Sequence, residues 1–226
     1  MKKEIIVNGK AYTMRKSKFC MNYSPVCVSD YMSGKMSGIP SISTSCLVNP
    51  ICQKRMKDGE SICAHCFADA TLSRYKAAGK NAESNYYLLT ESILPVELLP
   101  VFCNVAIVRI ESFGDVANVN HAINYANICK ANPHVQFAWW SKNMNIIRKA
   151  FDIVGKPDNV VMVESSEKLN TAKAPSNGYV DKVFTVYDEK TISAENVEIN
   201  CGARCCATCR RCYSKATEKV VSEKLK

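Results

Sequence analysis

The stretch VAIVRIESFGDVANVNHAINYANICKANPHVQFAWWSKNMNIIRKAFDIVGKPDNVVMVES, residues 105–165, alternates short apolar runs with helical patterns. The runs are typical of buried strands, and the segments between them have apolar residues at helical spacing. Strands that alternate with helices indicate parallel βα units. Strands are predicted at Val105–Ile110, Val135–Trp140, Val160–Val163 and Lys182–Tyr187, and helices at His121–Lys130 and Asn145–Ile153.

This alternation predicts an α/β protein, either a partial (β/α) barrel or a parallel βα sheet, with cysteine-rich metal-binding loops at both ends. The 226 residues fit a single domain, 1–226. Within it we distinguish an N-terminal hairpin and basic loop (1–45), a cluster loop with the βα body (46–200), and a C-terminal cysteine knot with a tail (201–226).

The flanking segments give weaker signals. Residues 4–14 predict a hairpin around Asn8-Gly9, a two-residue turn signal. A short strand is expected at Ile39–Thr44, followed by a long loop with Pro50 as a breaker. From Phe67 the pattern is helical. The last residues, ATEKVVSEKLK, indicate a charged helix or a frayed tail.

The composition favours some cellular compartments over others. No apolar run approaches the length of about eighteen residues that a membrane span needs. The start, MKKEIIVNGK, has an apolar run of only three residues, so we expect no signal peptide and no membrane association. The thirteen cysteines are an odd number and are clustered, which favours metal binding in a reducing cytoplasm over disulfides.

A first cysteine knot is the stretch SCLVNPICQKRMKDGESICAHCF, residues 45–67. Its spacing is C-x5-C-x10-C-x2-C, from Cys46 through Cys52 and Cys63 to Cys66. Structural zinc sites usually join two close pairs, and only the last two cysteines form one. A [4Fe–4S] cluster is larger and tolerates ligands from a long loop. The spacing favours iron–sulfur ligation, with zinc as the alternative.

A second knot, CGARCCATCRRCY at residues 201–213, has one cysteine more than a four-coordinate site needs. Its C-x2-C-x2-C run has the spacing of the first three ligands in bacterial ferredoxins. We therefore predict one or two clusters in the chain. The second set of candidate ligands is Cys201, Cys205, Cys206, Cys209 and Cys212. One alternative is a zinc site in place of a cluster. The other is a cluster whose fourth ligand is a cysteine of the first knot. We also expect the second knot to pack against the first-knot loop and to close one mouth of the barrel.

Polar residues follow the first two strands of the predicted sheet. Side chains alternate along a strand, so Arg109 and Glu111 are expected on one face. Gly114 and Asp115 begin the following loop, and Lys142 follows the next strand. Parallel folds bind ligands at these strand ends. We expect the five residues to hold the charged groups of an amino-acid-like cofactor. An Arg109–Glu111 ion pair is the alternative.

The net charge of +9 is uneven. Residues 1–80 hold 13 Lys/Arg against 5 Asp/Glu, residues 81–200 hold 10 against 14, and residues 201–226 hold 7 against 2. The basic excess therefore accompanies the cysteines. It either offsets thiolate charge or contacts nucleic-acid phosphates through the basic ends.

The chain resembles a bacteriophage protein family described as gene product eighty-eight. That description carries no function, but it implies the cytoplasm of a host cell. The resemblance rests on four motifs, KMSGIPSISTSC (35–46), SICAHCFADATLSRY (61–75), VRIESFGDVANVNHAINY (108–125) and CGARCCATCRRCY (201–213).

A second, more distant resemblance is to radical S-adenosylmethionine (SAM) enzymes, which hold a [4Fe–4S] cluster on a partial barrel. Here Cys63-x2-Cys66-Phe67 before a helix is similar, although the superfamily's C-x3-C-x2-C motif and Gly-Gly-Glu signature are absent. The resemblance implies a cluster on Cys52, Cys63 and Cys66, with SAM positioned by Arg109, Glu111 and Asp115. The other hypotheses are a zinc-stabilised nucleic-acid-binding protein that acts on host processes and an electron-transfer protein with closed clusters.

Overall fold

The structure is a computed structural model that describes residues 3–225. No helix in this range is long and apolar enough to cross a membrane. The strands are Glu4–Val7 (β1), Lys10–Thr13 (β2), Val28–Ser29 (β3), Ser41–Ile42 (β4), Ile107–Ile110 (β5), Gln136–Ser141 (β6), Val160–Ser165 (β7), Lys182–Tyr187 (β8) and Val220–Lys224 (β9). The α-helices are Pro50–Met56 (α1), Phe67–Arg74 (α2), Lys76–Glu91 (α3), Val119–Lys130 (α4), Met144–Val154 (α5), Glu189–Glu195 (α6) and Cys206–Cys209 (α7).

Seven strands form one mostly parallel sheet in the order β3-β4-β5-β6-β7-β8-β9. Only the β3–β4 pair is antiparallel. Neighbouring parallel strands follow each other in the chain, with α4 and α5 as crossovers between β5, β6 and β7. Right-handed crossovers in this order place such helices on one face of the sheet. The predicted mixed α/β class and its parallel βα units are therefore confirmed.

The two faces of β5 and β6 pack against different partners. Val108 and Trp139 belong to the main core, which includes the inner sides of α4 and α5. Residues next to them in sequence point the opposite way, since side chains alternate along a strand. Ile107 and Ala138 pack with Tyr213 from the C-terminal knot. One face is thus covered by helices and the other by the cysteine-rich C-terminus.

Local signals explain several element ends. Asn8 and Gly9 have positive φ angles of 48° and 76°, as a type I′ turn between β1 and β2 requires, so the predicted hairpin is present. Pro50 starts α1 instead of interrupting a loop, because Asn49 caps the helix by accepting from the Ile51 N–H.

The expectation of a helix or frayed tail at residues 216–226 is wrong for the described part. Residues Val220–Lys224 form β9, which pairs in parallel with β8. Two adjacent β-branched valines suit a strand, and the ladder with β8 satisfies their backbone groups. Local charge favoured a helix, but pairing with a distant segment determined the structure.

Two buried asparagines fix the segment between α3 and β5 to α4. The Asn124 side chain donates to Leu89 O and Ser92 O. The Asn132 side chain donates to Pro100 O (2.9 Å) and accepts from the Phe102 N–H (2.7 Å). Because buried backbone groups need partners, these amides substitute for regular secondary structure along residues 92–102.

We predict that Asn132→Ala lowers the free energy of unfolding by about 3 kcal/mol, because it leaves a buried N–H and carbonyls without partners. The exposed Asn145 in α5 provides the control, and Asn145→Ala should change stability by less than about 0.5 kcal/mol. Urea denaturation followed by circular dichroism measures both. Equal effects of the two substitutions would contradict the role assigned to Asn132.

Candidate functional site: two groups of cysteines

The four cysteines of the first knot, here called the first tetrad, converge at one end of the sheet. Cys46 follows β4, Cys52 lies in α1, and a 3-10 turn at Ile62–His65 carries Cys63 and precedes Cys66. The Cys46 and Cys66 thiols are hydrogen-bonded to each other. Cys52 interacts electrostatically with both Cys46 and Cys63. The structure therefore brings together the cysteines that the sequence spaces widely.

Cys66 has the most activated thiol of the tetrad. The hydrogen bond from Cys46 lowers its pKa below the ordinary value, and the backbone N–H groups of Ala68 and Asp69 act in the same direction. These two groups belong to the first turn of α2, which Cys66 caps. The shared proton correspondingly raises the pKa of Cys46. The site is thus arranged to hold at least one thiolate, the form that ligates metals.

Asp115 connects the end of β6 to the first-knot helix α1. Its Oδ1 accepts from Ser141 Oγ (2.5 Å), and its Oδ2 accepts from the Lys142 N–H (3.0 Å) and from Arg55 Nη1 (3.2 Å). Burial raises the pKa of the Cys52 thiol, Asp115 raises it further, and Lys142 lowers it. Lys142 also lowers the pKa of the Cys66 thiol. Lys142 is therefore a cation beside the first tetrad, while Asp115 holds the loops in place.

Glu111 is buried and engaged by neighbouring protein groups. Its φ of 57° turns the chain as β5 ends. The carboxylate accepts from Thr44 N (3.1 Å), Thr44 Oγ1 (2.7 Å) and Tyr125 OH (2.8 Å). Burial raises the pKa of Glu111 to about 7 and lowers that of nearby His121 to about 3. Glu111 thus joins the loop after β4 to α4.

Gly114 lies where backbone segments approach closely. Its N–H donates to Glu111 Oε2 (3.2 Å). A Cβ atom at this position would lie 2.6 Å from both Thr44 O and Thr44 Oγ1. Only glycine fits without moving the loop that leads to Cys46. The sequence predicted a cofactor-binding role for Gly114. The structure shows that the close approach of Thr44 requires a glycine at this position.

Four of the five cysteines of the second knot, here called the second tetrad, form a separate group. The thiols of Cys201, Cys206 and Cys209 all interact electrostatically with Cys212. Burial raises the pKa of Cys212 to about 12. Cys205 differs, because the backbone N–H groups of Thr208 and Ala207 lower the pKa of its thiol and because it is not among the groups that act most strongly on Cys201, Cys206 or Cys212.

Arg109 lies beside this second tetrad and not beside Glu111. Its Cζ is 3.0 Å from the centroid of the Trp140 ring. The side chains of Cys206, Cys212 and Tyr213 interact with its charge. The positive φ at Glu111 separates the two side chains that strand alternation would place on one face. Neither the expected joint site nor an Arg109–Glu111 ion pair is among the contacts of residues 3–225.

The second knot covers the sheet and does not close the first site. Its main contacts are with β6, β7 and the 3-10 turn at Gly34–Met36, and this placement differs from the expected packing on the first-knot loop. Within residues 3–225, no three His, Cys, Asp or Glu side chains already have the arrangement that holds one metal ion.

Comparison with known proteins identifies the family. The profile of the family described as gene product 88 matches residues 2–221. The chain belongs to the gene product 88 family. No curated protein and no solved structure matches it. The bacteriophage family that the sequence motifs suggested is thus confirmed, whereas the resemblance to radical SAM enzymes receives no support from these comparisons.

In this member of the gene product 88 family, several site residues were not predicted from the sequence. They support the candidate ligands through contacts that are distant along the chain and have no spacing signature. Thr44 and Tyr125 hold Glu111, and Arg55 pairs with both Asp115 and Glu167. The basic character of residues 1–80 was the one available signal for Arg55.

We predict that Gly114→Ala destabilises the protein by about 1–3 kcal/mol, because the added methyl group overlaps the Thr44 backbone. Gly178→Ala is the matched control, since nothing lies within 4 Å of a Cβ atom there. Thermal unfolding of both variants measures the difference. If Gly114→Ala melts at the same temperature as the control, the close approach at Thr44 does not constrain the site.

Proposed function

We propose that this protein is an iron–sulfur protein in which Cys46, Cys52, Cys63 and Cys66 ligate one [4Fe–4S] cluster for electron transfer. The observation that carries the proposal is the convergence of the four thiols at the end of the sheet, where Cys46, Cys52 and Cys66 pack in one buried cluster and Cys63 lies near Cys52. Thiols grouped around a common space suit a cluster with four corners. Tetrahedral zinc on the same four thiolates is the alternative.

The electrostatic setting supports a thiolate at Cys66. Each cysteine must lose a proton to bind metal, so nearby cations and N–H donors assist binding. Cys46, the backbone N–H groups in the first turn of α2 and Lys142 lower the pKa of Cys66, whereas burial and Asp115 raise that of Cys52. Lys142 directly follows β6, at the carboxyl end of that strand. The chain order of the parallel strands also suits a partial (β/α) barrel, which we include in the proposal.

Electron transfer is preferred over SAM chemistry because of how the carboxylates are used. A catalytic cluster for SAM needs an open iron and free groups that bind the SAM amino acid portion. Protein donors already contact both oxygens of Glu111 and both oxygens of Asp115. Arg109 lies beside the other group of cysteines. With Cys46 as fourth ligand, the cluster is closed and suited to outer-sphere electron transfer.

Anaerobic reconstitution of the full chain with iron and sulfide tests the proposal. We expect the wild type to show a broad absorbance near about 400 nm. Cys63→Ser should contain about four iron atoms fewer than the wild type, since four thiolates hold the cluster. Cys46→Ser should lose the same amount. Cys103→Ser is the control and should retain all iron, because Cys103 lies next to Cys20 and far from the tetrad in the chain.

The outcomes separate the alternatives. Stoichiometric zinc without the absorbance band would show a zinc site and would overturn the iron–sulfur assignment. If Cys46→Ser retains its cluster and SAM changes the electron paramagnetic resonance spectrum, the cluster is open. The SAM-dependent enzyme would then replace electron transfer.

A second candidate function is the binding of single-stranded nucleic acid, and an exposed basic and aromatic patch favours it. Tyr31 is 86% exposed, and the Lys18 Nζ lies 4.0 Å from its ring centroid. Lys16 is also exposed beside them. Aromatic faces stack on bases while lysines neutralise phosphates, so the patch has both elements of such a surface.

For this candidate, Lys16→Ala with Lys18→Ala should weaken binding to a single-stranded oligonucleotide about tenfold and reduce its salt dependence. Lys149→Ala, an exposed lysine on α5, is the control and should leave affinity unchanged. Filter binding at two salt concentrations measures both properties. Affinity that is insensitive to salt in the wild type would exclude phosphate-driven binding by this patch.

A further inference from the structure

Arg109 is a cation in the interior without a carboxylate partner. Its Nε is inaccessible to solvent and has no hydrogen-bond partner, although the residue as a whole is partly exposed. Among residues 3–225, no carboxylate lies within ion-pair distance of its guanidinium. Stacking on Trp140 offsets only part of the lost hydration. A nearby anion would stabilise a charge in such a place.

The groups that face Arg109 are Tyr213 and two thiols, those of Cys206 and Cys212. As free thiols these groups are neutral and leave the guanidinium without a counter-charge. As metal-bound thiolates they supply the missing negative charge. Because a metal removes the proton of a ligating thiol outright, the arrangement is consistent when metal is bound.

A second cation reaches the same group of cysteines from another element. Lys35 Nζ lies 2.9 Å from Cys201 O, 3.8 Å from Cys201 Sγ and 2.9 Å from Glu223 Oε1. Lys35 therefore shares its charge between a carboxylate and the Cys201 thiol. The short helix α7 packs against the 3-10 turn that carries Lys35, so the two cations approach the thiols from the sheet and from that turn.

We propose that Cys201, Cys206, Cys209 and Cys212 ligate a second, separate [4Fe–4S] cluster, with Arg109 as its buried counter-ion and Cys205 outside the ligand set. Each thiol gives one proton to solvent and forms one Fe–S bond. Four thiolates on a core of charge 2+ leave a net charge of 2−, which the guanidinium of Arg109 and the ammonium of Lys35 face. Cys205 is not among the groups that act most strongly on the thiols of Cys201, Cys206 or Cys212. The inference shares only its metal chemistry with the proposed function.

The ligand set is tested by iron and sulfide content after anaerobic reconstitution of the full chain. The double variant Cys63→Ser/Cys66→Ser should keep about half of the wild-type iron, bound at the second tetrad. The double variant Cys209→Ser/Cys212→Ser should also keep about half, bound at the first tetrad. Cys205→Ser is the matched control within the same knot and should keep all of it. Native mass spectrometry of the wild type gives a measurement that needs no variant, and it should show two clusters per chain.

Each result bears on one site. If Cys205→Ser loses as much iron as Cys209→Ser, the ligand set is wrong. If the Cys209/Cys212 pair is replaced without loss while the Cys63/Cys66 variant loses all iron, no second cluster exists and the proposed function stands. The reverse pattern would leave the second cluster intact and overturn the first. A zinc ion in place of a cluster at Cys209 would overturn this inference.

The role of Arg109 as counter-ion is tested by Arg109→Met and Arg109→Lys. Loss of the positive charge should make the reduction potential of the second cluster more negative, because reduction adds negative charge that Arg109 no longer offsets. Arg109→Lys should restore most of the shift, since it retains the charge but not the guanidinium shape. Equal potentials in wild type and Arg109→Met would show that Arg109 only packs against Trp140.

Discussion

A parallel sheet must be covered on both faces, and within residues 3–225 the crossover helices cover one face of β5 and β6. The α4 and α5 crossovers pack on the side of β5 and β6 that carries Val108 and Trp139. The opposite side is closed by the C-terminal knot through Tyr213. A segment of about a dozen residues with one four-residue helix buries little apolar surface of its own. Short segments of this kind usually need a metal or a disulfide to hold their shape.

The second constraint is the left-handed turn at Glu111. Continued strand geometry would keep Glu111 on the face of Arg109, where two opposite charges would neutralise each other. The φ of 57° instead directs the carboxylate to Thr44 and Tyr125. This turn is held by a buried carboxylate with several donors and by a glycine three residues later that allows the close approach of Thr44. Arg109 is consequently left facing the second tetrad.

The sequence predicted the parts of the fold that depend on local pattern. The βα alternation of residues 105–165 and the Asn8-Gly9 hairpin are present because periodicity and turn chemistry act within a few residues. Three features depended on distant contacts and were missed. They are the β9 strand in a charged tail, the separation of Arg109 from Glu111, and the packing of the second knot on the sheet. None of these leaves a short-range signature, because each is decided by a partner far along the chain.

The basic residues of the chain occupy two kinds of location in the structure. Lys142 lies beside the first tetrad, while Lys35 and Arg109 lie beside the second. These cations are half-buried or interior and point at thiols, so they act on the charge of the cysteines themselves. Lys16 and Lys18 are exposed and far from both tetrads in the chain. Under the two proposals above, the two explanations of the basic excess apply to different lysines and arginines. Burial separates the cations that lie beside thiols from those that face solvent.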